Sequence, residues 1–265
     1  MAGRICPKTR TAPVVLPSYD RPKDQRKAES MKAIFVLIVA IAFAVAPFLS
    51  PEFGGIDPDR YPVPQLNPPV QPVGWAFSIW GPIYLWLVAH ALFGAFKFRQ
   101  DAEWDKGRIA LMLSLAVGTI WLPVALASPI WATILIWIML IAALIALYQL
   151  ANAAPPWIAR WPVALYAGWL SAASFVSIGL LLAGYGFVDE FAAAVIALVL
   201  ATGFAGYNAY RLGSWPYAIA VSWGFIGIAI ANIDSAIMLT VAAGVATIVV
   251  LGLTALPRLP HRQPQ

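Results

Sequence analysis

The chain has 265 residues, 61% of them hydrophobic and 11% charged, and a mean hydropathy of +0.78. That excludes a soluble domain built around one core and describes a polytopic membrane protein. The net charge of +5 does not mark a nucleic-acid binder, because the basic residues sit in short segments between long apolar runs, where they set topology.

Residues 1–31 are polar and basic, with Pro7, Pro13, Pro17 and Pro22 spread through them. This is the composition of a disordered tail. The first apolar run covers residues 33–48. Ala42-Phe-Ala44 and Ala44-Val-Ala46 resemble signal-peptide cleavage sites, but the basic region ahead is unusually long and Pro47 follows the likelier cut. The run is therefore expected to be a retained helix. Residues 49–73 form a proline-rich, acidic connection with Pro51, Glu52, Asp57, Pro58, Asp59, Pro62, Pro64, Pro68, Pro69 and Pro72. Its prolines favour extended or turning backbone. Its length predicts that it folds over the outer mouth of a helix bundle.

The second run, residues 74–96, opens with Gly74-Trp-Ala-Phe-Ser-Ile-Trp-Gly-Pro-Ile-Tyr-Leu-Trp-Leu87. On a helix, Phe77, Trp80 and Tyr84 fall within about 60° of one another, with Trp75, Ile79, Pro82 and Trp86 roughly opposite. Lipid does not require such a stripe, since a Leu/Val/Ile helix inserts at least as well. Two readings stand: packing with interfacial anchoring, or the wall of a site for a flat, hydrophobic ligand. Pro82 frees the carbonyl of Ser78 and predicts a kink, and Pro123, two residues after Trp121, does the same in the third run.

Six more runs follow, near residues 109–127, 130–151, 163–183, 191–207, 216–231 and 235–256. Each approaches the roughly 20 residues that cross the hydrocarbon layer, and 216–231 is the shortest. Trp104 falls in the loop before the third run. The Ser128-Pro129 turn predicts an antiparallel hairpin. The fifth run contains Tyr166, Gly168, Trp169, Ser171, Ala172, Ala173 and Ser174, small residues that allow close helix approach. Tyr166, Trp169, Ala173 and Ser177 share one face. The seventh run partly echoes it with Tyr217…Ser222-Trp223-Gly224, too short a match to establish a duplication.

With the N-terminus inside, Arg60 is the one residue of 17 Lys and Arg to fall outside, while Asp189, Glu190 and Asp234 lie in outer loops. That asymmetry supports eight spans with both termini cytoplasmic. No Asp, Glu, Lys or Arg lies in the middle of a span, which argues against a proton- or ion-coupled carrier and against a retinal Schiff base. His90 sits inside a span, away from the Phe77 stripe; a packing or interfacial role is expected of it, with proton handling as the alternative. Cys6 is the only cysteine, so neither an internal disulfide nor a Cys-based zinc site is available. GxSxG, P-loop, HExxH and paired-carboxylate patterns are missing from the sequence, so hydrolytic and phosphoryl-transfer chemistry is not expected.

Pro72-Val-Gly-Trp-Ala-Phe77, followed by Trp80 and Tyr84, resembles the second-helix signature of the TspO/translocator-protein family, roughly Pro-Pro-Gly-Trp-x-Phe then Trp and Tyr. Trp121 with Pro123 is similar to that family's Trp-Ser-Pro segment. Tyr166-Ala-Gly-Trp169-Leu-Ser171-Ala-Ala173-Ser-Phe175 resembles its Tyr-x-x-Trp-x-Ser-x-Ala-Thr-Tyr segment. Phe77-Ser-Ile-Trp-Gly81 with Ile83-Tyr84, and Tyr166-x-Gly-Trp169, look like the longer bacterial members called tryptophan-rich sensory proteins, which carry extra C-terminal helices. The chain departs from the pattern in four places. The Phe77–Trp80 gap is one residue shorter than in short members, Val73 replaces the second Pro, Gly118, Thr119 and Ile120 stand where an Asn is usual, and Ser177 stands where many relatives have Asn.

The resemblance covers about residues 33–183. It implies a five-helix bundle there; with the three further apolar runs, the expected fold is an all-α polytopic bundle of about eight transmembrane helices: a disordered basic cytoplasmic tail at 1–31, a TspO-like five-helix domain at 32–184, three added helices at 185–257 and a cytoplasmic tail at 258–265. It also implies an integral protein of the bacterial inner membrane that binds porphyrins or haem precursors, with a sensory or regulatory role, no required cofactor and no nucleic-acid partner. Relatives tend to dimerise, so a homodimer joins membrane lipid and a hydrophobic small molecule among the expected partners. By carry-over, Trp80, Tyr84, Trp121, Trp169 and Ala173 are the ligand-binding residues, with Trp75 and Phe77 next. The alternatives are a small-molecule transporter using the enlarged bundle and a light-dependent tetrapyrrole-degrading activity.

Overall fold

The apolar runs fold as helices in the computed structural model, which describes residues 23–50 and 55–257, and the third run stays helical through Pro123 in its interior. In order they are α1 (Lys23–Val45), α2 (Trp80–Phe96), α3 (Ala102–Ala127), α4 (Pro129–Gln149), the single turn α5 (Pro156–Ala159), α6 (Trp161–Gly184), α7 (Glu190–Leu212), α8 (Trp215–Ala231) and α9 (Ile237–Ala255). Among the described residues there is no strand. Seven of these helices are long and apolar enough to cross a membrane, and α8, with 17 residues, is the short eighth, about 25 Å long. The chain is thus an all-α polytopic membrane protein.

Polar start signals moved two boundaries away from the apolar runs. Residues 23–31 were expected to be disordered, yet α1 begins at Lys23, directly after Pro22, with Asp24 in its first turn; acidic residues suit that position. The expected tails at 1–22 and 258–265 lie outside the described residues. Likewise α3 begins at Ala102, because the Asp101 carboxylate accepts from the backbone N–H of Glu103 at 2.8 Å and Trp104 at 3.1 Å. Trp104 is therefore helical and not in a loop. Residues Gly74–Ile79 form a 3₁₀ turn, and α-helix starts only at Trp80. Pro82 consequently falls in the first helical turn, where a missing N–H costs little. Ser128 alone separates α3 from α4, so these two form the expected antiparallel hairpin.

Two rings of helices share α6. In the first, α2 packs on α1, α1 on α3, α3 on α4, α4 on α6 and α6 on α2. In the second, α6 packs on α7, α7 on α9, α9 on α8 and α8 on α6. The shared helix is the most enclosed, with 67% of its span buried. Small residues permit this. A Cβ added at Gly168 would collide with the Tyr217 carbonyl of α8, and one at Gly224 would lie 2.9 Å from the Ala172 Cβ of α6. Buried hydroxyls link the layers: Tyr166 to Ser114 of α3 at 3.0 Å, and Tyr217 to Ser171 of α6 at 2.8 Å.

The helix order brings Lys27, Lys32, Lys97, Arg99, Lys106, Arg108, Arg160 and Arg211 to one end of the bundle, the basic end. There the guanidinium of buried Arg108 donates to the carbonyls of Glu29, Phe98 and Arg99 and pairs with Asp105 at 3.0 Å. It satisfies carbonyls that the end of α2 leaves open and ties α1, α2 and α3 together. Asp105 also pairs with Lys32 at 2.6 Å.

At the opposite end the proline-rich connection folds back over the bundle, as its length predicted. Val63 N–H donates to the Gly184 carbonyl at 2.9 Å, Val73 N–H to Gly227 at 3.2 Å, and the Asn232 amide to Pro69 at 2.8 Å. The Tyr61 ring covers Gly184, where any side chain would displace it. Burial, and then neighbouring Tyr185, raise the Tyr61 pKa well above the ordinary phenol value, so the ring stays neutral. This segment, residues 55–73, is a strap held to α6 and α8.

Candidate functional site

Beneath the strap lies an apolar cleft of about 60 Å³. By the same measure one water needs about 10–15 Å³, so the cleft is narrow. One wall is α6, which presents Trp169, Ala172, Ala173, Val176, Ser177 and Leu180. Gly224 and Ile228 of α8 form the facing wall; Trp121 and Ile136 come from the α3–α4 hairpin, and Phe77 from the 3₁₀ turn. Gly55, Ile56, Gln71 and Pro72 of the strap close the outer side.

Four residues singled out from the sequence therefore meet here: Phe77, Trp121, Trp169 and Ala173. Phe77 and Trp169 touch edge to face, their centroids 6.0 Å apart. Trp80 and Tyr84 lie one layer back. They stack on each other at 5.2 Å, and Trp80 meets Trp169 edge-on at 6.2 Å. Phe43 of α1 seals this layer, 5.9 Å from Trp80 and 5.0 Å from Tyr84. Trp75 is elsewhere: it is half-exposed and packs against Trp223 of α8 at 5.0 Å. His90 is also remote, stacked on Trp104 at 4.9 Å with Nδ1 2.8 Å from the Ile158 carbonyl.

Polar atoms around the cleft are mostly engaged. The Trp121 indole N–H donates to the Ala132 carbonyl at 2.9 Å, and the Ser177 hydroxyl to Ala173 at 3.0 Å. Trp169 differs. It is 2% exposed, and among the described residues its indole N–H has no acceptor. A buried donor left unsatisfied costs about 1–3 kcal/mol, so Trp169 holds unused hydrogen-bonding capacity beside an apolar space.

The α8 wall and the strap's part in lining the cleft were not singled out from sequence. The Ser222-Trp223-Gly224 echo was the one signal toward α8. Nothing in the prolines of the strap says which helices it docks on.

Fold and cleft together define an integral membrane protein whose helices wall a narrow apolar cleft with aromatic rings. A family model described as TSPO-like protein matches residues 27–256, from α1 through the end of α9, and the chain belongs to that family. The match thus runs past α6 and takes in the last three helices. No curated protein and no solved structure matches the chain.

Proposed function

We propose that the chain binds a flat, hydrophobic ligand of the tetrapyrrole type in the cleft between α6 and α8 and acts as a membrane sensor or regulator. The observation that carries this reading is the unpartnered indole of Trp169 beside an apolar, aromatic-walled space. Aromatic faces stack on a flat macrocycle, and a pyrrolic or carboxylate acceptor on the ligand would satisfy the free N–H. Family membership supports it further. A macrocycle exceeds the cleft as it stands, so binding requires the strap to lift from α6 and α8. The transporter alternative lacks support, because the cleft offers no polar, water-accessible path. We propose further that both termini face the cytoplasm, a reading that the segregation of basic residues supports, and that the membrane is a bacterial plasma membrane, which rests on the resemblance to the longer bacterial members alone.

Titration of the purified full-length protein with protoporphyrin IX tests the proposal. Trp fluorescence should quench saturably. Trp169→Ala and Trp80→Ala should each weaken binding by about 1–3 kcal/mol. Trp131→Ala, an exposed residue at the start of α4, should bind like the parent. Unsaturable quenching, or equal loss in all three variants, removes the proposal. Loss of porphyrin absorbance under light would instead support the degrading activity.

A further inference from the structure

Helices α4 and α7 pack on α6 from either side and barely meet each other, which leaves a seam between the two rings. Around α4, Trp137, Ile141, Leu144 and Tyr148 fall within about 60° of one another; around α7, Leu200, Phe204, Tyr207, Asn208 and Arg211 fall within about 100°. Two contacts show that these stripes face each other. The Trp137 and Phe204 rings lie 6.1 Å apart, both against Phe175 of α6, and the Tyr148 hydroxyl donates to the Asn208 side-chain carbonyl at 3.0 Å. Phe175 lies about 200° around α6 from Ala173, so the seam and the cleft occupy different faces of that helix.

The seam changes character along its length. Its middle is apolar and aromatic, and Ile141 and Leu200 stay exposed on its flanks. Toward the basic end it turns polar. Arg211 stands about 10 Å beyond Phe204 along α7, and both Arg211 and Tyr207 lie in electrostatic reach of the Tyr148 hydroxyl. No charged residue occurs on α4, and α7 carries only Glu190, in its first turn, and Arg211, in its last; the two are about 30 Å apart. Among the described residues Arg211 has no ion pair and no hydrogen bond. A cation in the last turn of a helix suits the dipole, and here it also leaves a guanidinium fork open beside a phenol. Tyr148 and Tyr207, 40% and 62% exposed, are amphipathic rings of the kind that mark the membrane–water interface.

We infer that the seam between α4 and α7 seats one anionic phospholipid from the leaflet at the basic end. Its phosphate meets the Arg211 fork and the Tyr207 hydroxyl. One acyl chain runs outward along Ile141, Leu144 and Leu200 to the Trp137–Phe204 pair. The order of chemistry along the seam, a cation and hydroxyls at headgroup depth and then an apolar furrow, is that of a lipid read from phosphate to tail. Basic sites between transmembrane helices commonly take such headgroups. A lipid held here joins the five-helix ring to the ring that α7, α8 and α9 complete with α6. The site does not depend on the ligand proposed for the cleft.

The test is thermal unfolding of the full-length protein in a neutral detergent, titrated with phosphatidylglycerol, phosphatidylcholine or inorganic phosphate. Phosphatidylglycerol should raise the midpoint saturably, and the other two should not. Arg211→Gln should weaken the apparent affinity about fivefold, the order expected of one interfacial cation. Tyr207→Phe should weaken it about twofold or more, as for one hydrogen bond. Arg211→Lys should retain most of it, and Lys97→Gln, exposed at the same end just after α2, should match the parent. Equal shifts with both lipids overturn the inference, and so does a shift with inorganic phosphate as large as that with phosphatidylglycerol. A phosphatidylglycerol shift of unchanged affinity in Arg211→Gln overturns it too; should that variant not fold, Tyr207→Phe decides in its place.

Discussion

The indole N–H of Trp223, on α8, donates to the carbonyl oxygen of Ala76 across 2.8 Å, joining residues 147 positions apart. Ala76 lies fully buried in the 3₁₀ turn that feeds α2. The bond therefore fixes the turn that carries Phe77 to the helix that forms the opposite wall of the cleft. A helix outside the five-helix ring becomes part of the site in this way.

Removing that bond should loosen the outer end. Trp223→Phe keeps a ring against Trp75 but leaves the Ala76 carbonyl without its donor, at a cost of about 1–3 kcal/mol. We expect a lower melting temperature and faster tryptic cleavage at Arg60 in the strap, as local opening becomes easier. Unchanged cleavage with a lowered melting temperature would show that the bond stabilises the bundle without holding the strap.

Trp104 behaves as a core residue. It is 2% exposed, lies between His90 at 4.9 Å and Phe98 at 4.6 Å, and donates to the Ala154 carbonyl at 2.9 Å. Gly94 makes room for its ring, since an added Cβ would approach it to 3.3 Å. Trp104→Ala should destabilise by about 3–5 kcal/mol, the range for deleting a large buried aromatic. His90→Phe should cost less, because the stack survives while the Ile158 carbonyl loses its polar neighbour. Denaturation of both variants in detergent checks the order, and a Trp104→Ala protein as stable as its parent would return this residue to the surface.

The sequence made the spans legible because hydropathy and Lys/Arg placement are local signals. The starts of α1 and α3 were hidden because Lys23–Met31 and Ala102–Arg108 carry polar residues whose helicity depends on capping and tertiary partners, Arg108 above all. Phe77, Trp169 and Ala173 were found through helical periodicity and resemblance. Gly224 and Ile228 were not, because a glycine that admits Ala172 of another helix leaves no one-dimensional trace. The prolines of the strap announced extended backbone, whereas its docking depends on carbonyls at Gly184 and Gly227 that only the folded bundle presents.

Orientation follows from the same separation of charges. Reporter fusions after Leu256 and within residues 97–101 should report the cytoplasm, and fusions near Asp57 and Asp189 the external side. Moving the excess, by placing Lys at Asp57 and Asp59 while neutralising Lys97 and Arg99, should produce a mixed population. A C-terminal reporter read outside would contradict the direction, though not the existence, of the basic end.

Ala172 and Ala173 are neighbours on α6 and both line the cleft, but Ala172 does so at its edge, packed against Gly224, which makes them a paired test of the cleft. Ala172 is buried against Gly224, while Ala173 is partly exposed and lines the open space. Ala173→Phe should place a ring in that space, abolishing porphyrin binding while leaving the melting temperature near that of the parent. Ala172→Phe would press on Gly224 of α8 and should lose about 1–3 kcal/mol of stability through overpacking. Measuring affinity and melting temperature on both variants separates the two readings of this face. If Ala173→Phe destabilises as Ala172→Phe does, and its remaining folded fraction still binds porphyrin, then this stretch of α6 is a packing seam and the ligand binds elsewhere in the bundle.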